Sequence, residues 1–277
     1  MLDRFTEKTD DSSKGSMLFN EALDAEKNDN IAEAERLYRL AADEGETDAL
    51  VNLGLLLIDK TEDRKGEGVS FFLKAAEQGN ISGIRNMGYV NAVGIGVPVS
   101  KEEGVRWYTM AAEKGHVKAM GNLAILYRSG KGTPKDLVKA AEWFRRSAEA
   151  GYFRSQASLA QFYLEGKGVE KDVSQAFYWY TKAAENNSNR GMYNLALMYI
   201  DGIGTEIDKE KAKELLRAAV AKRYPKAMFV LGDMLLSEGK NEEAWELFKT
   251  AAEMGEKRSI DAFVSAGKTV PEYKGWK

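Results

Sequence analysis

Residues 117–152 read VKAMGNLAILYRSGKGTPKDLVKAAEWFRRSAEAGY, and residues 153–188 continue without a gap as FRSQASLAQFYLEGKGVEKDVSQAFYWYTKAAENNS. Glycine, aspartate, tryptophan and alanine fall at matching offsets in the two stretches, which sets a period of 36 residues. Stepping outward at that spacing gives units at 81–116 and 189–224, then shorter ones at 47–80, 225–256 and about 15–46. Seven units result, and KRSIDAFV opens a partial eighth at 257–266 that reads as a C-terminal capping helix. Flanking them are residues 1–14, expected as a flexible polar tail, and a second tail at 267–277.

Each unit holds two amphipathic stretches with the three-to-four spacing of helices. In the unit at 117–152, helix A spans roughly Lys118 to Ser129 and packs Leu123, Leu126 and Tyr127. Helix B starts after Asp136 and carries Ala140, Trp143, Phe144 and Ala148. Asp136, Asp172 and Asp208 share one repeat position, where a side-chain oxygen can accept free amide hydrogens of the first turn. Ser100 takes that place in its unit, and Glu103 three residues on predicts a capping box. Small residues recur in helix A (Gly88, Ala124, Ala160, Ala196) and helix B (Ala112, Ala148, Ala184), so helices can approach closely. Trp107, Trp143 and Trp179 repeat at one helix B position and read as core. A single unit cannot bury its own apolar faces, so neighbours must stack, and the fold expected is an all-α solenoid.

Composition narrows the chemistry. The chain has 277 residues, 44% apolar and 30% charged, with no cysteine and one histidine. Disulfides, thiolate metal sites and cysteine nucleophiles are excluded, and one imidazole cannot build a zinc site alone. Residues 1–46 hold 6 basic and 13 acidic side chains, yet the net charge is only −3. Neither region has the strongly basic field of a nucleic-acid binder. No apolar run approaches the length of a membrane span, and MLDRFTEKTD lacks the apolar block of a secretory signal, so a cytoplasmic home is expected.

The pattern N-L-(G/A)-x-x-Y-x-x-G-x-G-x-x-x-D-x-x-x-A-x-x-W-(Y/F)-x-x-(A/S)-A-E-x-G, fullest over Asn122–Gly151, resembles the Sel-1-like repeat family, a relative of the tetratricopeptide repeat. The resemblance covers about 15–264; the outer units at 15–46 and 225–256 lack the long Gly-x-Gly loop and look more like plain tetratricopeptide repeats. It implies a right-handed superhelix of about seven helix-turn-helix units with helix A lining the concave side, used as an adaptor or scaffold for other proteins.

Several motifs imitate catalysis. Ala262–Thr269 (AFVSAGKT) satisfies a relaxed phosphate-loop pattern, but it follows a helical stretch and meets Pro271 two residues on, whereas such a loop joins a strand to a helix. The same stretch contains a lone Ser-x-x-Lys (Ser265, Lys268) without companion motifs. Gly94-Ile-Gly96, Gly130-Lys-Gly132, Gly166-Lys-Gly168 and Gly202-Ile-Gly204 each fall where helix A ends, where glycine permits a left-handed residue. His116 reads as an exposed or turn residue. The expectation is no catalytic residue, no metal and no cofactor.

Counting Val117 as position 1, positions 2, 5, 9 and 12 share one side of helix A. Position 2 supplies Lys118, Arg154 and Arg190; position 5, Arg85 and Tyr193; position 9, Tyr89, Ile125, Gln161 and Leu197. Position 6 adds Asn52, Asn86, Asn122, Ser158 and Asn194. An asparagine amide can pair with both the N–H and C=O of an extended peptide, or it can brace a neighbouring loop. These fourteen residues are the candidate partner-binding set. The partner expected is a protein or peptide with an acidic or C-terminal segment, with neither nucleic acid nor membrane insertion, and the chain itself a monomer or weak dimer.

A non-enzymatic binding module is the leading functional reading. An immunity or inhibitor protein occluding an enzyme such as a toxin is the alternative, a role the resemblance brings from some bacterial members. A cell-wall or antibiotic-related hydrolase is a third; the members with that assignment carry paired cysteines, absent here.

Overall fold

The computed structural model describes residues 2–61 and 63–275. Trp276, a candidate anchor for the C-terminal tail, lies outside the described residues. Among those described there are fifteen α-helices and no strand. They are α1 (Lys14–Lys27), α2 (Ile31–Asp43), α3 (Thr47–Lys60), α4 (Lys65–Glu77), α5 (Ile81–Val93), α6 (Lys101–Glu113), α7 (Val117–Ser129) and α8 (Leu137–Glu149). The remainder are α9 (Phe153–Glu165), α10 (Val173–Glu185), α11 (Asn189–Asp201), α12 (Lys209–Ala221), α13 (Pro225–Ser237), α14 (Asn241–Glu253) and α15 (Lys257–Ser265). Odd-numbered helices up to α13 are the A helices and even-numbered ones the B helices, so the helix pairs repeat as the sequence period requires. The chain is an all-α solenoid, closed at its C-terminal end by α15.

Two compact units divide it, Met1–Arg146 and Ser147–Lys277. In the first, Phe19, Tyr38, Leu53, Leu56, Leu57 and Phe72 form one continuous core, and Ile84, Tyr108 and Leu123 another. In the second, Leu216, Leu231 and Phe248 anchor the packing of α11 through α15. In the first unit α2, α4 and α6, and in the second α10, α12 and α14, each pack on their own A helix and on the helix that follows.

Helix starts follow the expected chemistry. The Asp136, Asp172 and Asp208 carboxylates accept the amides of Lys139, Gln175 and Lys211 at 2.9, 3.0 and 3.0 Å, and the Ser100 hydroxyl accepts that of Glu103 at 3.2 Å. The capping box at Ser100 is only half made. The Ser100 amide donates to the Asn91 carbonyl at 2.8 Å, and Glu103 pairs with Arg106. That arrangement repeats: the amides of Asp136, Asp172 and Asp208 donate to the carbonyls of Tyr127, Tyr163 and Tyr199, each at 3.0 Å. A carbonyl of helix A has taken the donor that a capping-box glutamate would satisfy.

The aromatic pair in helix B divides its work differently from the sequence expectation. Tyr108, Phe144 and Tyr180 lie deepest, at 3, 1 and 2% exposure, whereas Trp107 and Trp143 are half-buried and only Trp179 is buried. The phosphate-loop look-alike is the end of α15 and the turn after it, with Gly267 at φ +65°. Beyond it, Lys274 returns to α14, its amide donating to the Glu253 carbonyl at 2.8 Å.

Candidate functional site

The amide at position 6 of an A helix can serve something laid across the A helices. In the first unit that something is the chain's own residues 2–9, expected as a flexible tail. Asn86 Oδ1 accepts the Asp3 amide at 2.8 Å while its Nδ2 donates to the Asp3 carbonyl at 3.0 Å. Asn52 does the same for Phe5 at 3.0 and 2.8 Å, and Asn20 for Thr9 at 2.9 and 2.9 Å. Each amide thus takes the place of a neighbouring β-strand, satisfying the donor and acceptor of one residue. The segment runs against the repeat order, from α5 at residue 3 to α1 at residue 9.

Its side chains alternate as an extended strand requires. Asp3 points inward and is buried, Arg4 outward, and Phe5 inward against the core that contains Phe19 and Leu53. Arg4 pairs with Glu26 and, at 2.7 Å, with Asp59. Glu26 accepts from the Tyr38 hydroxyl at 2.8 Å, and that hydroxyl accepts from Asn52 Nδ2 at 3.2 Å. Burial first, and then the bond to Glu26, push the Tyr38 hydroxyl well above its ordinary range, so it stays a donor.

Asp3 enters a basic pocket. Lys118 Nζ donates to Oδ1 at 2.6 Å, His116 Nε2 lies 2.8 Å from Oδ2, and Arg85 Nε lies 3.7 Å from Oδ2. His116, expected as an exposed or turn residue, sits in the inter-unit turn but is largely covered. Its Nδ1 accepts the Ala119 amide at 3.2 Å, capping α7 and leaving Nε2 as the proton-bearing nitrogen that faces the carboxylate. Arg85 is 4% exposed, its Nη1 donates to Asn86 Oδ1 at 3.2 Å, and its guanidinium stacks 5.5 Å from the Tyr89 ring centre. Arg85 Nε has no hydrogen-bond partner.

Burial alone would raise the Asp3 carboxyl, but His116, Arg85 and Lys118 outweigh it and hold the group far below its ordinary 3.8. The docked segment therefore favours the ionised form over the released one. Its electrostatic contribution is complete above about pH 5 and is lost as pH falls through 3.8 toward the lower native value. Amide NMR of Asp3, Phe5 and Thr9 between pH 6 and pH 2.5 should show these signals moving toward unstructured positions while helix signals persist. Signals unmoved by acid would contradict the pocket's role.

The structure therefore gathers Asn52, Arg85, Asn86, Tyr89 and Lys118 around one segment and adds Asn20, His116, Glu26 and Tyr38, which the sequence reading did not single out. Asn20 was visible there, since it holds position 6 of the unit at 15–46. Asn122 turns toward the Tyr108 hydroxyl, and Ile125 is 43% exposed. In the second unit the candidates contact one another. Arg190 bonds Gln161 and reaches the Ser158 hydroxyl at 3.5 Å; that hydroxyl donates to the Arg154 carbonyl at 2.9 Å, and Asn194 Nδ2 donates to the Arg190 carbonyl at 2.7 Å. Tyr193 stacks on Tyr224 at 5.6 Å, Leu197 is half-buried, and Arg154 is exposed beside Phe153. Serine and asparagine here bond a carbonyl one turn back in their own helices, neither gripping a peptide nor bracing a neighbouring loop.

Among the described residues no group of three metal-ligating side chains converges, and no helix is long and apolar enough to cross a membrane.

Comparison with known proteins follows the same periodicity. The family model described as Sel1 repeat matches residues 15–46, 48–80, 81–116, 117–152, 154–188, 189–224 and 225–256. Among solved structures the chain is similar to c5321, a protective antigen of uropathogenic Escherichia coli displaying an SLR fold, with 28% identity and a TM-score of 0.79. That match covers 92% of this chain and 56% of the other, so the chain spans a little over half of that protein's length. A Sel1 repeat protein from Oxalobacter formigenes is 26% identical with a TM-score of 0.68, over 76% of this chain and 88% of that one. Yeast Tom70, at 14% identity and a TM-score of 0.54 over 95% of this chain and 67% of that one, shares the fold alone. No curated protein matches the chain in sequence.

Proposed function

Because this chain belongs to the Sel1 repeat family, a protein-interaction fold, we propose that it is a non-enzymatic adaptor or regulator that takes an extended protein segment across its A helices. The observation that supports the reading is the set of three paired amide contacts from Asn20, Asn52 and Asn86 to one extended backbone. Such contacts hold a main chain whatever its sequence, so they suit a surface that receives a peptide. Lys118 and Arg85 then favour an acidic side chain on that peptide.

Solution exposure alone makes a single ion pair worth only about 0–1 kcal/mol. A covered carboxylate meeting several cations at once does more, which is why the pocket and the amides belong to one site. The test is capture from a lysate on full-length chain, wild type beside the Asn52→Leu, Asn86→Leu double variant, with helix content checked by circular dichroism. Proteins held by the wild type and lost by the folded variant are the expected result. Identical retention by both would remove the helix A face from the account.

A further inference from the structure

We infer that the first unit's groove selects an extended segment carrying a carboxylate side chain two residues before an aromatic or large aliphatic one, and that residues 2–9 are a built-in occupant which such a partner displaces. The inference rests on the proposed peptide-binding role and adds to it a ligand pattern and a means of control. The ligand chemistry is read from what is seated there: Asp3 in the basic pocket, Arg4 turned outward, Phe5 against the core. Backbone pairing at residues 3 and 5 fixes the register, so acid and aromatic must be two apart.

Three observations make the occupant replaceable. Asn20, Asn52 and Asn86 contact only main-chain atoms of the segment, so an incoming peptide can reproduce every one of these bonds. The fit at the acid is incomplete, because the buried Arg85 Nε stands 3.7 Å from Asp3 Oδ2 and has no hydrogen-bond partner. Finally, residues 5 and 9 are four apart where residues 3 and 5 are two apart, and the stretch between them is tied to α1 through the largely exposed Lys8–Asp24 ion pair at 2.7 Å. A cleft of about 600 Å³ remains there beside Leu23, Asp24, Lys27 and Lys60.

The probe is a fluorescein-labelled peptide LDRFTEKTD, the sequence of residues 2–10, offered in trans to full-length wild type, Asp3→Lys and Asp3→Lys with Arg85→Met. Releasing the internal occupant raises the fraction of open groove, and apparent affinity rises in proportion. Polarisation should show Asp3→Lys binding at least about ten-fold more tightly than wild type, with Arg85→Met cancelling the gain. A peptide with lysine in place of its aspartate, or serine in place of its phenylalanine, should lose about ten-fold or more. Equal binding by wild type and Asp3→Lys overturns the built-in occupant, and equal binding of the lysine peptide overturns the carboxylate pattern.

Hydrogen exchange on unmutated protein supplies a second reading if Asp3→Lys does not fold: the amides of Asp3, Phe5 and Thr9 should be protected, and saturating peptide should expose them. Light scattering guards against a swapped arrangement. A wild-type dimer that Asp3→Lys converts to monomer would mean that the occupant comes from a second copy, and the intramolecular proposal would fall. Should the peptide fail everywhere while lysate capture still depends on Asn52 and Asn86, the ligand pattern fails and the binding role stands.

Discussion

A chain carrying Gly132→Ala is expected to lose about 3 kcal/mol, one of the largest effects available to a single methyl group in this protein. Gly132 has φ +77°, where an L-residue costs about 1–2 kcal/mol. An added Cβ would also lie 2.4 Å from the Lys101 carbonyl carbon and oxygen at the start of α6, main-chain atoms that cannot rotate away. Overpacking of that kind adds about 1–3 kcal/mol. Gly166 is the control. Its φ of +67° carries the same conformational cost, but the new Cβ would meet Lys171 alone, its Cβ at 3.3 Å and its main chain no nearer than 3.6 Å. Urea unfolding followed by circular dichroism should therefore show Gly132→Ala falling clearly further than Gly166→Ala. Equal losses would mean that the loop's approach to α6 contributes nothing.

Phe72→Ala is the second large expectation, at about 3–5 kcal/mol. The ring is fully buried and its edge fills the space that Gly54 leaves open, since a Cβ on Gly54 would come within 2.7 Å of it. Removing the ring strips α3 and α4 of their shared contact and leaves a cavity between backbones already in close approach. Because stability in stacked repeats is largely a sum of units and nearest-neighbour interfaces, faster hydrogen exchange should appear first in α3, α4 and α5. Val99→Ala is a fitting comparison, because Val99 is 60% exposed and its truncation should stay within about 0.5 kcal/mol. A Phe72→Ala loss below about 1 kcal/mol would contradict this account of the core.

Phe72 also explains an irregularity at the site. At the same distance before the next A helix stand Tyr38 and Tyr108, whose hydroxyls engage Asn52 and Asn122. Phenylalanine has no hydroxyl, and beside Asn86 the supporting hydrogen bond comes from Arg85 instead. The cation that reads Asp3 is thus placed by the same contact that steadies the amide.

What could be read from sequence was whatever the repeat enforces locally. Helix ends at Gly94, Gly130, Gly166 and Gly202, caps at Asp136, Asp172 and Asp208, and the seven-unit solenoid all follow from residues close together in the chain. The site was legible in part: position 6 was singled out as a row of amides able to grip a peptide backbone. Residues 2–9 escaped because five charges in ten residues look like a solvated end. Those charges find partners far away, Asp3 at Lys118 and Arg4 at Asp59, and no local pattern announces such pairs. Arg154 and Arg190 share a repeat position with Lys118 but not its neighbours, and Arg190 bonds Gln161 and Ser158 instead.

The bond from each helix B cap to the carbonyl nine residues before it, recurring at Ser100, Asp136, Asp172 and Asp208, carries an evolutionary consequence. It fixes the length of the intervening loop as firmly as a stitch, so the unit behaves as a whole-number module. Duplication of a segment 36 codons long adds a unit whose joints already fit. A slip of one codon inside the loop would shift the cap off its carbonyl and the glycine off its left-handed site together. Selection should therefore tolerate gain and loss of entire units at this locus while purging single-codon insertions, and variants in natural populations should differ by multiples of the period.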